Sequence, residues 1–149
     1  MSRVKRMRVV RQVIDDRESR QAAQVGASQR RVAEAEQKLL ELERYLLEYQ
    51  REFTRRAHSG SSSLGLGDFR VFLARLTEAV GQQKAILQRT QQELEAERRR
   101  YQAAAQKASV VRHVVDRWAA DERRVGARRE QHETDERAQR TNRPKFSDE

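Results

Sequence analysis

Three histidines, His58, His113 and His132, are the first side chains to test for chemistry. His132 and Glu136 stand four apart and share a face if the segment is helical, which is one way to bring two metal ligands together. A metal site needs more ligands nearby than this pair supplies, so solvated helix surface is the stronger reading. There is no cysteine, hence no thiolate or disulfide chemistry, a composition that suits a reducing compartment. Ser61, Ser62 and Ser63 read as a flexible linker by composition. No Gly-rich phosphate loop or nucleophile motif occurs. The expectation is that the chain is not an enzyme, with no catalytic residue, metal or cofactor and no small-molecule substrate.

Charge is the next candidate for function. The net charge is +9 at pH 7, with Arg3, Lys5, Arg6, Arg8 and Arg11 near the N-terminus and further clusters at Arg98–Arg100 and Arg128–Arg129. Such an excess can attract nucleic acid, acidic lipid or an acidic protein. A basic zipper reads DNA with a helix that runs directly into a parallel dimer seam, whereas this chain carries a loop and its own second strand. Acidic residues are also interleaved, as in Asp15-Asp16, Glu95, Glu97, Asp121-Glu122 and Asp135-Glu136. Most of these charges therefore read as a solvated helix face with surface pairs, and no nucleic acid is expected. A basic coiled-coil nucleic-acid binder is the rival from another class.

The elements that must position these residues emerge from composition and spacing. Apolar residues make up 36 % of the 149-residue chain and charged residues 37 %, too little apolar surface for a compact core but enough for a narrow seam. Strong helix formers dominate. Residues 57–68 hold three of the six glycines and four serines, and read as the only turn, with Asp68 as the cap of a second helix. Pro144 marks a stop at the far end. No run approaches the roughly 20 apolar residues of a membrane span, and the basic N-terminus lacks a signal-peptide core, which points to the cytoplasm.

A three-four alternation runs through both halves. Val32, Ala35, Leu39, Leu42, Leu46, Tyr49 and Phe53 continue backwards through Ser28, Val25, Gln21, Glu18, Ile14, Arg11 and Met7 to Val4. In the second half, Leu73, Leu76, Val80, Gln83, Leu87, Thr90, Leu94, Glu97 and Tyr101 lead to Ala104, Ala108, Val111, Val115, Trp118, Glu122 and Val125. A period held this long implies a left-handed supercoil. The fold class expected is all-α: a single long antiparallel two-helix coiled coil, or helical hairpin. Its domain spans 1–141, with a helix over about 3–56, a loop over about 57–68 and a helix over about 69–140. Residues 142–149 form a disordered polar tail. The helices would measure about 80 and 110 Å, so the second overhangs where the termini lie. Gly26 and Gly126 weaken that region by roughly 1 kcal/mol each relative to Ala.

Near the loop a second apolar stripe runs beside the seam: Leu42, Tyr45 and Tyr49 on the first helix, Phe72, Leu76 and Ala79 on the second. Tyr45, Phe72 and Ala79 are one position off the seam. They either widen the helix contact and pack on the loop, or form an exposed patch for a protein partner.

The segment Leu42-Glu43-Arg44-Tyr45-Leu46-Leu47-Glu48-Tyr49-Gln50, the Gly/Ser loop, and Phe72-Leu73-Ala74-Arg75-Leu76 with Gln82-Gln83 together resemble the flagellar export protein FliJ family. The C-terminal stretch from Arg129 to Ala138 is similar to that family's closing motif. The resemblance implies an antiparallel coiled coil like the central stalk of rotary ATP synthases, in the flagellar type III export apparatus, and so a role in flagellum assembly, motility and chemotaxis. It implies two partners: a hexameric export ATPase, FliI, at the terminal end and the cytoplasmic domain of the export-gate protein FlhA near the loop. Export chaperones are a third implied partner, and the implied location is cytoplasmic, peripheral to the inner membrane at the flagellar base. The family's gate-binding stripe matches at Leu42, Tyr45, Tyr49, Phe72, Leu76 and Ala79, while neighbouring Lys38 and Gln83 depart from its Gln and His. For the ATPase contact the expected residues are Lys5, Arg6, Arg8, Gln131, Asp135 and Glu136. The equivalent stalk of a virulence secretion system is the rival within the class.

Overall fold

The computed structural model describes residues 2–60 and 62–143. Two helices, α1 (Arg3–His58) and α2 (Ser63–Thr141), account for nearly all of them, with no strand among the described residues. They pack against each other antiparallel: Gln83 donates to the Ala35 carbonyl at 3.1 Å, while Asp15 on α1 pairs with Arg112 on α2 at 3.3 Å. The expected all-α hairpin is the fold observed.

Every buried residue falls on the three-four rhythm. The apolar ones are Val4, Ile14, Ala35, Val80, Leu94, Ala104, Ala108 and Val115, and the polar ones Ser28 and Gln83. Each helix hides only a stripe, so a chain this poor in apolar residues still buries a continuous seam. The buried polar groups are partly satisfied. Ser28 Oγ accepts from Arg31 at 2.8 Å and Gln83 donates to a backbone carbonyl, but Gln21 Oε1 is buried without a partner.

The connection is shorter than expected. α1 runs to His58 and α2 begins at Ser63, so residues 57, 58 and 63–68, expected in the loop, are helical. Ser62, not Asp68, caps the helix: its hydroxyl accepts from the Gly65 amide at 3.3 Å and its carbonyl from the Leu66 amide at 3.1 Å. Gly65 and Gly67 are carried inside the first turns at a cost of about 1 kcal/mol each. Leu66 and Phe69, both half-buried, extend the rhythm of Leu73 backwards and supply the packing that offsets this. Just past the end of α1, Gly60 has a φ of +80°, the left-handed conformation that closes a helix without steric cost. At the N-terminus Ser2 Oγ accepts from the Lys5 amide at 3.2 Å.

The chain divides into two compact units. The loop unit comprises residues 18–103. The terminal unit comprises residues 1–17 with 104–149. In the terminal unit the seam closes at Trp118, over whose ring the Arg3 guanidinium lies at 4.0 Å. Glu122 and Val125, expected to prolong the seam, are exposed, because α1 starts at Arg3 and offers nothing opposite them. Beyond Asp121 every described residue except Gly126 is exposed. Asn142 closes the last turn through an amide bond to the Ala138 carbonyl at 3.0 Å. The expected tail, 142–149, lies outside the described residues from Pro144 onward.

Candidate functional site

In the loop unit, four aromatic rings meet where α1 ends and α2 begins. Tyr49 and Phe72 contact edge-on with centroids 4.9 Å apart, Phe53 and Phe69 stack at 5.8 Å, and Phe69 links the pairs at 6.1 Å from Tyr49 and 6.3 Å from Phe72. Such offset and edge contacts exploit the ring quadrupole and stabilise the cluster beyond area burial. Arginines flank it, with Arg56 5.1 Å from the Phe69 centroid and Arg70 5.8 Å from that of Phe53. On the same turn Glu52 accepts from Arg55 at 2.6 and 3.0 Å and from Arg56 at 3.1 Å. Hydrogen bonds from Arg55 and then Arg56 draw the Glu52 carboxyl down to about 2 from its ordinary 4.5, and the Arg55 guanidinium is raised in turn.

Of the expected gate stripe, the structure joins Tyr49 and Phe72 directly. Tyr45 stays 50 % exposed, Phe72 42 % and Tyr49 39 %, while Leu42, Leu76 and Ala79 are half-buried against the seam. The stripe is thus a graded surface, with aliphatic residues serving the helix contact and three aromatic side chains left open to solvent. Gln83 points inward and belongs to the seam. Phe53, expected in the seam, and Phe69, to which the spacing assigned no place, complete the ring cluster. Reading Asp68 as a cap hid Phe69, although one further backward step of the rhythm from Leu73 reaches it.

The second set of expected residues lies in the terminal unit. Lys5, Arg6 and Arg8 are exposed on the first turns of α1. Gln131 donates to Asp135 at 3.1 Å, and His132 Nε2 lies 3.1 Å from Glu136 Oε1. These are local i,i+4 pairs. The structure does not bring the two groups together: Arg3 sits on Trp118, and Gln131 lies about 20 Å further along α2 at 1.5 Å per residue. Among the described residues no three His, Asp or Glu side chains converge to hold a metal, and no helix is long and apolar enough to cross a membrane.

A two-helix hairpin whose specialised surfaces are exposed aromatic and charged side chains on helix faces defines a coiled-coil protein suited to contacts with other proteins. Residues 3–145 match the family model described as flagellar FliJ protein, and the chain belongs to the FliJ family. It is therefore a component of flagellar type III protein export, from a family that is non-enzymatic. Comparison with curated proteins and with solved structures gives no match.

Proposed function

We propose that this chain is a non-catalytic connector of the flagellar export apparatus, binding the cytoplasmic domain of FlhA through the loop unit and the hexameric ATPase FliI through the terminal unit. In this reading it also assists export chaperones and works at the cytoplasmic side of the inner membrane. The observation that carries the proposal is the exposure of Tyr45 and of Phe72, the latter at the open side of a packed ring cluster. Aromatic side chains held rigidly at a surface give large contact area at small entropic cost, as interface anchors do. The charged residues Lys5, Arg6, Arg8, Gln131, Asp135 and Glu136 suit a polar, salt-sensitive contact, which favours fast exchange over tight binding.

Tyr45→Ala and Phe72→Ala are expected to weaken binding to the FlhA cytoplasmic domain by roughly tenfold or more each, with helicity by circular dichroism unchanged. A parallel loss of helicity and binding would assign both residues to the seam and sink the gate contact. Cross-linking from positions 5 and 131 to the assembled FliI hexamer tests the other contact; no cross-link from either position would remove it.

A further inference from the structure

The terminal unit carries four valines that helix pairing does not use. Val10 and Val13 on α1 are 42 % and 52 % exposed and Val110 on α2 is 58 % exposed, with Val114 half-buried beside it. In the register set by Val4, Ile14, Ala108 and Val115 at a and d positions, Val10 and Val114 flank the seam at g, and Val13 and Val110 stand next outward at c. Antiparallel helices set g beside g and e beside e. The ion pairs Asp15–Arg112 and Arg11–Asp116, at 3.3 and 3.5 Å, occupy the e side. The four valines therefore share the opposite side, and the Asp15–Arg112 pair brings Val13 and Val114 to about the same level. On the α2 part of this stripe Ser109, Val110, His113, Val114 and Arg117 line a shallow concavity, which α1 does not line.

The rim of this stripe is cationic. Arg6 and Arg17 on α1 and Lys107 and Arg117 on α2 hold the neighbouring c and g positions. None of the four has an ion-pair partner among the described residues. The one carboxylate at such a position between residues 104 and 128 is Asp121, already paired with Arg124 at 3.6 Å.

We propose that this stripe docks an amphipathic helix of another protein, one presenting an apolar ridge flanked by Asp or Glu. Valines three apart on α1 and four apart on α2 match the spacing by which a helix inserts its ridge along a groove. Charge selects the occupant. A second copy of this chain would set the four unpaired cations against themselves, whereas acidic flanks compensate each of them. The proposal is independent of the ATPase contact: it shares only Arg6 with those residues, and the variants that test it leave Arg6 in place.

The test uses the full chain and two labelled synthetic helices, one with a leucine ridge flanked by glutamates and a twin flanked by lysines. Fluorescence anisotropy is expected to show binding of the glutamate peptide and not of the lysine twin. Val13→Asp with Val114→Asp should weaken that binding roughly tenfold or more at unchanged helicity. Arg17→Glu with Lys107→Glu should switch the preference to the lysine twin, an inversion that misfolding cannot produce. The proposal is overturned by equal binding of the two peptides, by no binding of either, or by valine variants that bind as well as the parent. Valine-dependent self-association in sedimentation equilibrium, or valine-dependent capture by phosphatidylglycerol-containing vesicles without peptide binding, would overturn it in favour of those occupants.

Discussion

Where α1 hands over to α2, Tyr49, Phe53, Phe69 and Phe72 pack ring against ring. In the terminal unit the flank of the seam is instead held by Asp15 with Arg112 and Arg11 with Asp116, groups that remain 37–72 % exposed. The two units use the same heptad rhythm and close it by different physics. Ring packing removes apolar surface from water and is not weakened by charge screening. Half-exposed ion pairs contribute little and are screened over about 8 Å at physiological ionic strength. The contrast implies that the packing between the two helices is less sensitive to ionic strength in the loop unit than in the terminal unit, where ion pairs flank the seam.

The largest expected effect breaks the aromatic side of that comparison. Phe69→Ala should destabilise the loop unit by about 2 kcal/mol, below the 3–5 kcal/mol of a fully buried Phe because the ring is only half-covered. Denaturant unfolding should register it, and the shift should persist at high salt. Next is Gln21, whose Oε1 lies buried without a partner. Gln21→Leu should stabilise the chain by about 1 kcal/mol, since an unsatisfied polar atom is replaced by seam packing; a loss of stability would show that the amide is satisfied after all. Asp15→Asn removes an ion pair and should cost about 0.5 kcal/mol at low salt. That cost should fade as salt rises, unlike the Phe69 effect, and equal salt dependence of the two variants would erase the distinction drawn between the units.

The smallest effect concerns Glu52. Its carboxyl is held at about 2 in the folded chain against 4.5 ordinarily, so its contribution is complete above pH 4.5 and disappears as pH falls through about 2. Hydrogen-exchange protection of the last turn of α1, taken relative to the intrinsic amide rate at each pH, should fall across that window in the parent, and Glu52→Gln should remove that fall.

Much of this protein is legible without coordinates. The three-four alternation names every residue that is buried, including the polar Ser28 and Gln83, because a supercoiled pair has a one-dimensional core and sequence spacing is its geometry. The loop is misjudged for a local reason. Ser and Gly disfavour helix individually, yet residues 63–68 are helical where Phe69 packs on Tyr49 and Phe53 across the hairpin and Leu66 is half-buried. Propensity loses there to tertiary packing. The aromatic stripe is visible as residues one step off the seam, but which of them reach solvent depends on how the two helices lean together. Tyr45 and Phe72 stay open while Leu42, Leu76 and Ala79 are partly covered.

Period and composition by themselves determined two helices, their antiparallel return and the identity of the seam, since each arises from contacts repeating at fixed spacing along the chain. Only the tertiary structure decided where α2 starts, that the seam ends at Trp118, that four rings converge, and that one flank of the terminal seam is ion-paired while the other is left apolar. Those features depend on which residues stand at equal height on two different helices, and no spacing within either helix alone encodes that register.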